Sequence, residues 1–170
     1  MKIVPKVRCC DEKSDCCKET KKIDVLFLYL DLKVCERCQG SDKNLDQALN
    51  IVQPVLKELG YELRIKKINV NTEALSKQYR FISSPTIRIN NIDIQEDVQE
   101  DNCKSCGDLC GDSVDCRVFT YQNKQYHEPP VGMIIDQILK SIYTLQTIKE
   151  PVNYQVPENL LKFYRSKESN

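Results

Sequence analysis

A chain of 170 residues is long enough for one domain with a real core, and its 25 Lys plus Arg against 25 Asp plus Glu leave no net charge, which removes the basic footprint of a nucleic-acid binder. The longest apolar run, Val25 to Leu30, is far below the ~20 residues of a membrane span, and Met1 to Arg8 holds no apolar stretch of signal-peptide length, so a cytoplasmic protein without a membrane partner is expected. Ten cysteines in that compartment are expected to be thiols and thiolates, because the cytosol keeps thiols reduced; their work is then metal binding, redox chemistry or both.

In chain order, residues 1–22 are polar and charged without helical or strand periodicity and read as a mobile tail. Val25 to Leu30 reads as a buried central strand. From Asn44 the apolar residues Leu45, Ala48, Leu49, Val52, Val55, Leu56 and Leu59 recur at helical spacing, with Pro54 predicting a kink and Gly60 a C-cap. Tyr61, Leu63 and Ile65 alternate like a strand, Asn71 or Thr72 can cap a short helix through Tyr79, and Thr86 to Ile89 is a strand ending at an Asn90-Asn91 turn.

A polar, cysteine-containing insertion follows, at 95–116. Beyond it the pattern predicts a strand over Arg117 to Tyr121, a turn at 122–124 and a short strand near Tyr126. Pro129-Pro130 then opens a helix whose stripe is Ile134, Ile135, Ile138, Ile142 and Leu145. Residues 149–170 form a C-terminal tail, helical or extended. The body is thus one α/β domain over 23–148.

Cys35-Glu36-Arg37-Cys38 stands directly behind the first strand, and Ser84-Pro85-Thr86 leads a later one. A strand that delivers a C-x-x-C pair to a helix start is the usual construction of a dithiol redox site: unpaired N–H groups and the positive dipole end favour thiolate, and the short spacing allows a disulfide. Arg37 would lower the thiol pKa further and Glu36 opposes it. The alternatives are that Cys35 and Cys38 ligate a soft metal, or that they are idle.

This order of elements resembles the thioredoxin-like fold over about residues 23–148. More narrowly, Leu30 to Gln39, Phe81 to Ile87 and the Cys103-to-Cys116 insertion look like DUF2703, an uncharacterised prokaryotic family of that kind. The resemblance implies that Cys35 attacks a disulfide, that Cys38 resolves the mixed species, and that Pro85 is cis with its backbone beside the sulfurs. The chain departs from thioredoxins in having Glu-Arg between the cysteines and no Trp, so redox potential and substrate are not implied.

Cys103, Cys106, Cys110 and Cys116 form a second constellation. Four thiolates within fourteen residues can supply a tetrahedral site, Zn(II) being the expected ion, and Gly107 eases the C-x-x-C-G turn. A loop this polar buries too little to order itself, so a crosslink is expected; two local disulfides or free redox thiols are the alternatives. Cys9-Cys10 and Cys16-Cys17 are a third. Adjacent cysteines lie nearer than the ~5.5–6 Å that a disulfide favours between Cα atoms, so they favour cross-pairing or chelation of Zn(II), Cu(I), Cd(II) or trivalent arsenic, unless the tail is idle.

His127, the only histidine, reads as a surface turn residue, which disfavours Cys–His hydrolysis, and no phosphate loop or zincin motif is present. Asp93 to Asp101 reads as a solvated acidic stretch. No organic cofactor is expected. Three functions stand open: thiol–disulfide exchange with a protein or small-molecule substrate, which leads; binding of a soft metal or metalloid; and an inert scaffold presenting the insertion and tail to a partner.

Overall fold

The computed structural model describes residues 20–110, 113–144 and 153–168, so the cysteine pairs at 9–10 and 16–17 and the stripe position Leu145 lie outside the described residues. The chain runs β1 (Lys21–Tyr29), α1 (Glu36–Glu58), β2 (Tyr61–Asn69), α2 (Glu73–Tyr79), β3 (Thr86–Ile89), β4 (Ile92–Asp93), β5 (Gln99–Asn102), α3 (Lys104–Cys110), β6 (Asp115–Tyr121), β7 (Lys124–Tyr126), α4 (Val131–Tyr143) and α5 (Glu158–Glu168). It is a mixed α/β architecture.

One sheet has the order β2-β1-β3-β4, with β1 and β2 parallel and the other pairs antiparallel; the second sheet is the antiparallel β5-β6-β7. Parallel β1 and β2 need a crossover, and α1 provides it. Asn90 and Asn91 close the β3–β4 hairpin, and Gln122 and Asn123 the β6–β7 hairpin, each pair with positive φ as a two-residue turn of that hand requires. Gly60, at φ 78°, ends α1 as its sequence position predicts.

Alternation along β1 divides the core. Ile23, Val25 and Phe27 pack with Ile87 and Ile89 under α1 (Leu45, Ala48, Leu49, Val52, Leu56) and α4 (Met133, Ile134, Ile138). Leu28 and Leu30 face the other way, into a cluster with Val70, Phe81, Val114, Leu160, Phe163 and five cysteines. Each fully buried Leu, Ile or Phe contributes about 1.5–3 kcal/mol, so both faces are needed to hold the sheet.

Several expectations need correction. The start of the first helix is not one of them: it begins at Glu36 with Cys35 as its cap, at the C-x-x-C pair where the sequence places a helix start, eight residues before the apolar periodicity. The insertion is not an irregular loop: it contains β5 and α3. Nor is Asp93 to Asp101 a merely solvated run, since Asp93 pairs with the fully buried Arg117 and Asp101 with Arg37. The C-terminal segment, expected as helical or extended, carries the helix α5, which buries Leu160 and Phe163 completely. Among the described residues no helix is long and apolar enough to cross a membrane.

Candidate functional site

β1 ends at Tyr29 and the chain turns through Asp31, whose carboxylate accepts from the N–H groups of Lys33 and Val34 at 2.6 and 3.1 Å. This turn places Cys35 at the N-cap of α1, with extended backbone and its Sγ accepting from the Cys38 N–H at 3.3 Å. The Cys38 sulfur points elsewhere. It lies 3.3 Å from Ser84 Oγ, which also accepts from the Leu30 N–H at 3.1 Å. The Ser84–Pro85 peptide is cis, as the sequence predicts, and the Ser84 carbonyl accepts from Arg117 N–H at 2.8 Å, fastening β6 beside the dithiol.

The insertion repeats the device. Cys103 precedes α3, its N–H donates to Val114 O at 2.9 Å, and its sulfur accepts from the backbone of Cys106. Here both cysteines of the C-x-x-C turn inward, joined by Cys116 from β6. The two constellations that the sequence presents separately meet in space: the sulfurs of Cys35, Cys103, Cys106 and Cys116 all lie within 4.8 Å of one another, and all four residues are buried. Cys106 and Cys116 are 3.6 Å apart at sulfur. That separation is too long for a disulfide, at ~2.05 Å, and close to the ~3.8 Å edge of a tetrahedron with 2.3 Å zinc–sulfur bonds. The five cysteines whose side chains are described are all free thiols. Cys110 is the last residue of α3, and its side chain lies outside the described part.

Charge is distributed unevenly in this cluster. Hydrogen bonds from Cys103, Cys106, Cys116 and then Cys38 pull the Cys35 pKa far down against its burial, so Cys35 carries the first negative charge. Cys103 is lowered to about 7, chiefly by Cys106 and Cys116. Cys106 and Cys116 are pushed up, first by donating to Cys103, and Cys38 is pushed up by its bond to Cys35, burial and the Cys35 charge. Arg37 brings a positive charge beside the cluster, donating to Asp101, to Asn102 O at 2.9 Å and to Cys116 O at 3.5 Å. Burial alone would lower the Arg37 pKa, but the bond to Asp101 and its charge prevail and raise it. His127, 59 % exposed, completes the chain at 3.0 Å from Asp101.

Family comparison bears on this arrangement. The model of a family described as a domain of unknown function, DUF2703, matches residues 22–138, which contain every cysteine of the cluster. The chain belongs to the DUF2703 family. No curated protein and no solved structure matches this DUF2703 chain. Sequence reasoning did not find that Cys35 joins the insertion cysteines, nor the parts of Ser84 and Asp101. The available signal was the repeated C-x-x-C, at 35–38 and 103–106, because two such turns can oppose each other.

The donor set fits a soft ion. Four buried sulfurs in an apolar cluster are costly to keep as thiolates alone, and a thiophilic cation is what such a set selects.

Proposed function

We propose that this DUF2703 protein is a soft-metal binding protein on a thioredoxin-like frame, with Cys35, Cys103, Cys106 and Cys116 as the ligands. The observation that carries the reading is the convergence of those four buried sulfurs within 4.8 Å. Zn(II) suits an all-thiolate tetrahedral set, and a closed set of four protein ligands makes a structural or storage site, not a hydrolytic one. The frame is supported by the β2-β1-β3-β4 order, the α1 crossover and the packing of α4 against α1 over one sheet face. Residues on the chain prepare the site: the α1 N-terminus and the Cys38 amide stabilise Cys35 as thiolate, and Arg37 offsets part of the excess negative charge. Elemental analysis of the reduced full chain tests this. One zinc per chain, held at least about tenfold more weakly by Cys35→Ser in competition with a chelator, is expected; no metal in wild type, or wild-type affinity in that variant, overturns it.

A second reading keeps the dithiol as the working part, with Cys35 attacking a substrate disulfide, Cys38 resolving and Pro85 alongside. The low pKa of Cys35 at a helix start favours it. Complete burial of Cys35 opposes it, since attack on a protein disulfide needs an open sulfur. A disulfide-reduction assay separates the two: reductase turnover in wild type, abolished in Cys35→Ser and stalled as a mixed disulfide in Cys38→Ser, belongs to the second reading.

A further inference from the structure

Among the five cysteines whose side chains are described, Cys38 is the thiol the four-ligand reading leaves over. It is fully buried, one helical turn from Cys35, and its sulfur rests on Ser84 Oγ outside the group of four. Its amide already touches Cys35 Sγ at 3.3 Å, so the two cysteines share one helical turn with the spacing that lets a C-x-x-C pair close a disulfide. Cys35 can therefore face the cluster or bond covalently to Cys38, but its thiolate is consumed in the second case, and the thiolate is the form that ligates.

We infer that Cys38 is a redox gate on the metal site: a peroxide joins it to Cys35 and reduces the ligand set from four thiolates to three. This rests on the four-cysteine reading of the site. The Cys35 thiolate attacks one oxygen of hydrogen peroxide, giving Cys35 sulfenic acid and hydroxide. The Cys38 thiol then attacks the Cys35 sulfur, the Cys35–Cys38 disulfide forms, and the sulfenic oxygen leaves as water with the Cys38 proton. Two cysteines lose two electrons together and one peroxide is reduced to water and hydroxide. A small neutral oxidant can reach a buried sulfur that a protein disulfide cannot. Bridging Cys103 to Cys106 would remove two ligands, whereas this bridge removes one and leaves the insertion cysteines in place.

The experiment uses the full reduced chain loaded with one equivalent of Zn(II), treated with one equivalent of hydrogen peroxide in the presence of a chromophoric chelator. Trypsin cuts after Arg37 and after Lys104, so a Cys35–Cys38 bridge and a Cys103–Cys106 bridge give different linked peptides. Wild type is expected to release its zinc with the Cys35–Cys38 peptide as the first linked product. Cys38→Ser is expected to hold the same zinc and to give no such peptide, with Cys35 trapped instead as a sulfenic acid adduct. Release accompanied first by a Cys103–Cys106 peptide, or the absence of a Cys35 sulfenic acid adduct in Cys38→Ser, overturns the gate and leaves the metal site standing. A reduced wild type that binds no zinc overturns both.

Discussion

The backbone N–H of Cys38 donates to Cys35 Sγ at 3.3 Å while the Cys38 sulfur turns away to Ser84 Oγ, so two cysteines in one helical turn are given opposite surroundings. One is drawn into a group of thiols and ionises readily, and the other sits against a hydroxyl and keeps its proton. A motif that reads as a symmetric pair is, in this fold, one member of the sulfur cluster and one neighbour.

That asymmetry sets the first prediction. Cys35→Ser removes a sulfur from the group of four, and zinc affinity should fall by at least the about 10–100-fold that losing even an outer partner costs. Cys110→Ser should retain one zinc per chain, because four-coordination is complete without it. Cobalt substitution reads the difference: the thiolate-to-metal charge-transfer absorption should weaken in Cys35→Ser and hold its intensity in Cys110→Ser. The opposite pattern would move the fourth ligand into the insertion.

Arg37 joins α1 to β5 and β6 and its charge acts on Cys103 and Cys116. Arg37→Gln keeps some hydrogen-bonding capacity and removes the charge. Hydrogen bonds to charged groups are worth about 1.5–3 kcal/mol, so zinc affinity should drop by roughly 10–100-fold. Competition with a chelator of known affinity measures it, and an unchanged competition curve would show that Arg37 only fastens the insertion.

Much of the frame was legible because periodicity reports burial: the α4 stripe, the Asn90-Asn91 turn and the Thr72 cap follow from local rules, and the structure contains them. The α1 start was legible from the C-x-x-C pair and not from periodicity, because Glu36 to Lys43 is mostly polar and the cap is a thiol in place of the usual Ser, Thr, Asp or Asn. The sulfur cluster was half legible. Cys103, Cys106 and Cys116 lie within a few turns of one another, but Cys35 reaches them only through the return of β6 to the Ser84 carbonyl, a contact between distant residues that no local pattern encodes. Arg117 was hidden for the same reason. It reads as an ordinary strand charge, yet it is buried beneath Asp93, Thr86 and Gln95.

Arg117 is fully buried, with two nitrogens on the Asp93 carboxylate at 2.8 and 2.7 Å and one on Thr86 Oγ1 at 2.9 Å. Removing one partner of a buried pair leaves an uncompensated charge. Asp93→Ala should therefore cost about 3–5 kcal/mol, whereas replacing both with apolar residues, Asp93→Leu with Arg117→Met, should recover most of it. For a chain of this size the single variant should melt about 6–20 °C lower, a shift readable by calorimetry. A single variant as stable as wild type would mean that water reaches Arg117.

Tyr164 provides a test at alkaline pH that does not depend on metal. On α5, it is 5 % exposed, its hydroxyl lies 2.5 Å from Ser76 Oγ and donates to Val70 O at 3.0 Å, and it holds the C-terminal helix against α2 and the end of β2. Burial raises its pKa from 10.0 to about 12, with the Ser76 bond opposing part of the rise. The folded state thus keeps this proton where the unfolded chain has lost it. With the folded pKa above the unfolded one, the stabilisation is fully present below pH 10 and is lost as pH rises toward 12, a window worth at most about 2–3 kcal/mol. Denaturant titrations of reduced protein between pH 9 and 12 should show stability falling with pH, more steeply in wild type than in Tyr164→Phe, which has no proton to lose. Parallel slopes for the two proteins would mean that α5 releases Tyr164 to water before the rest of the fold opens.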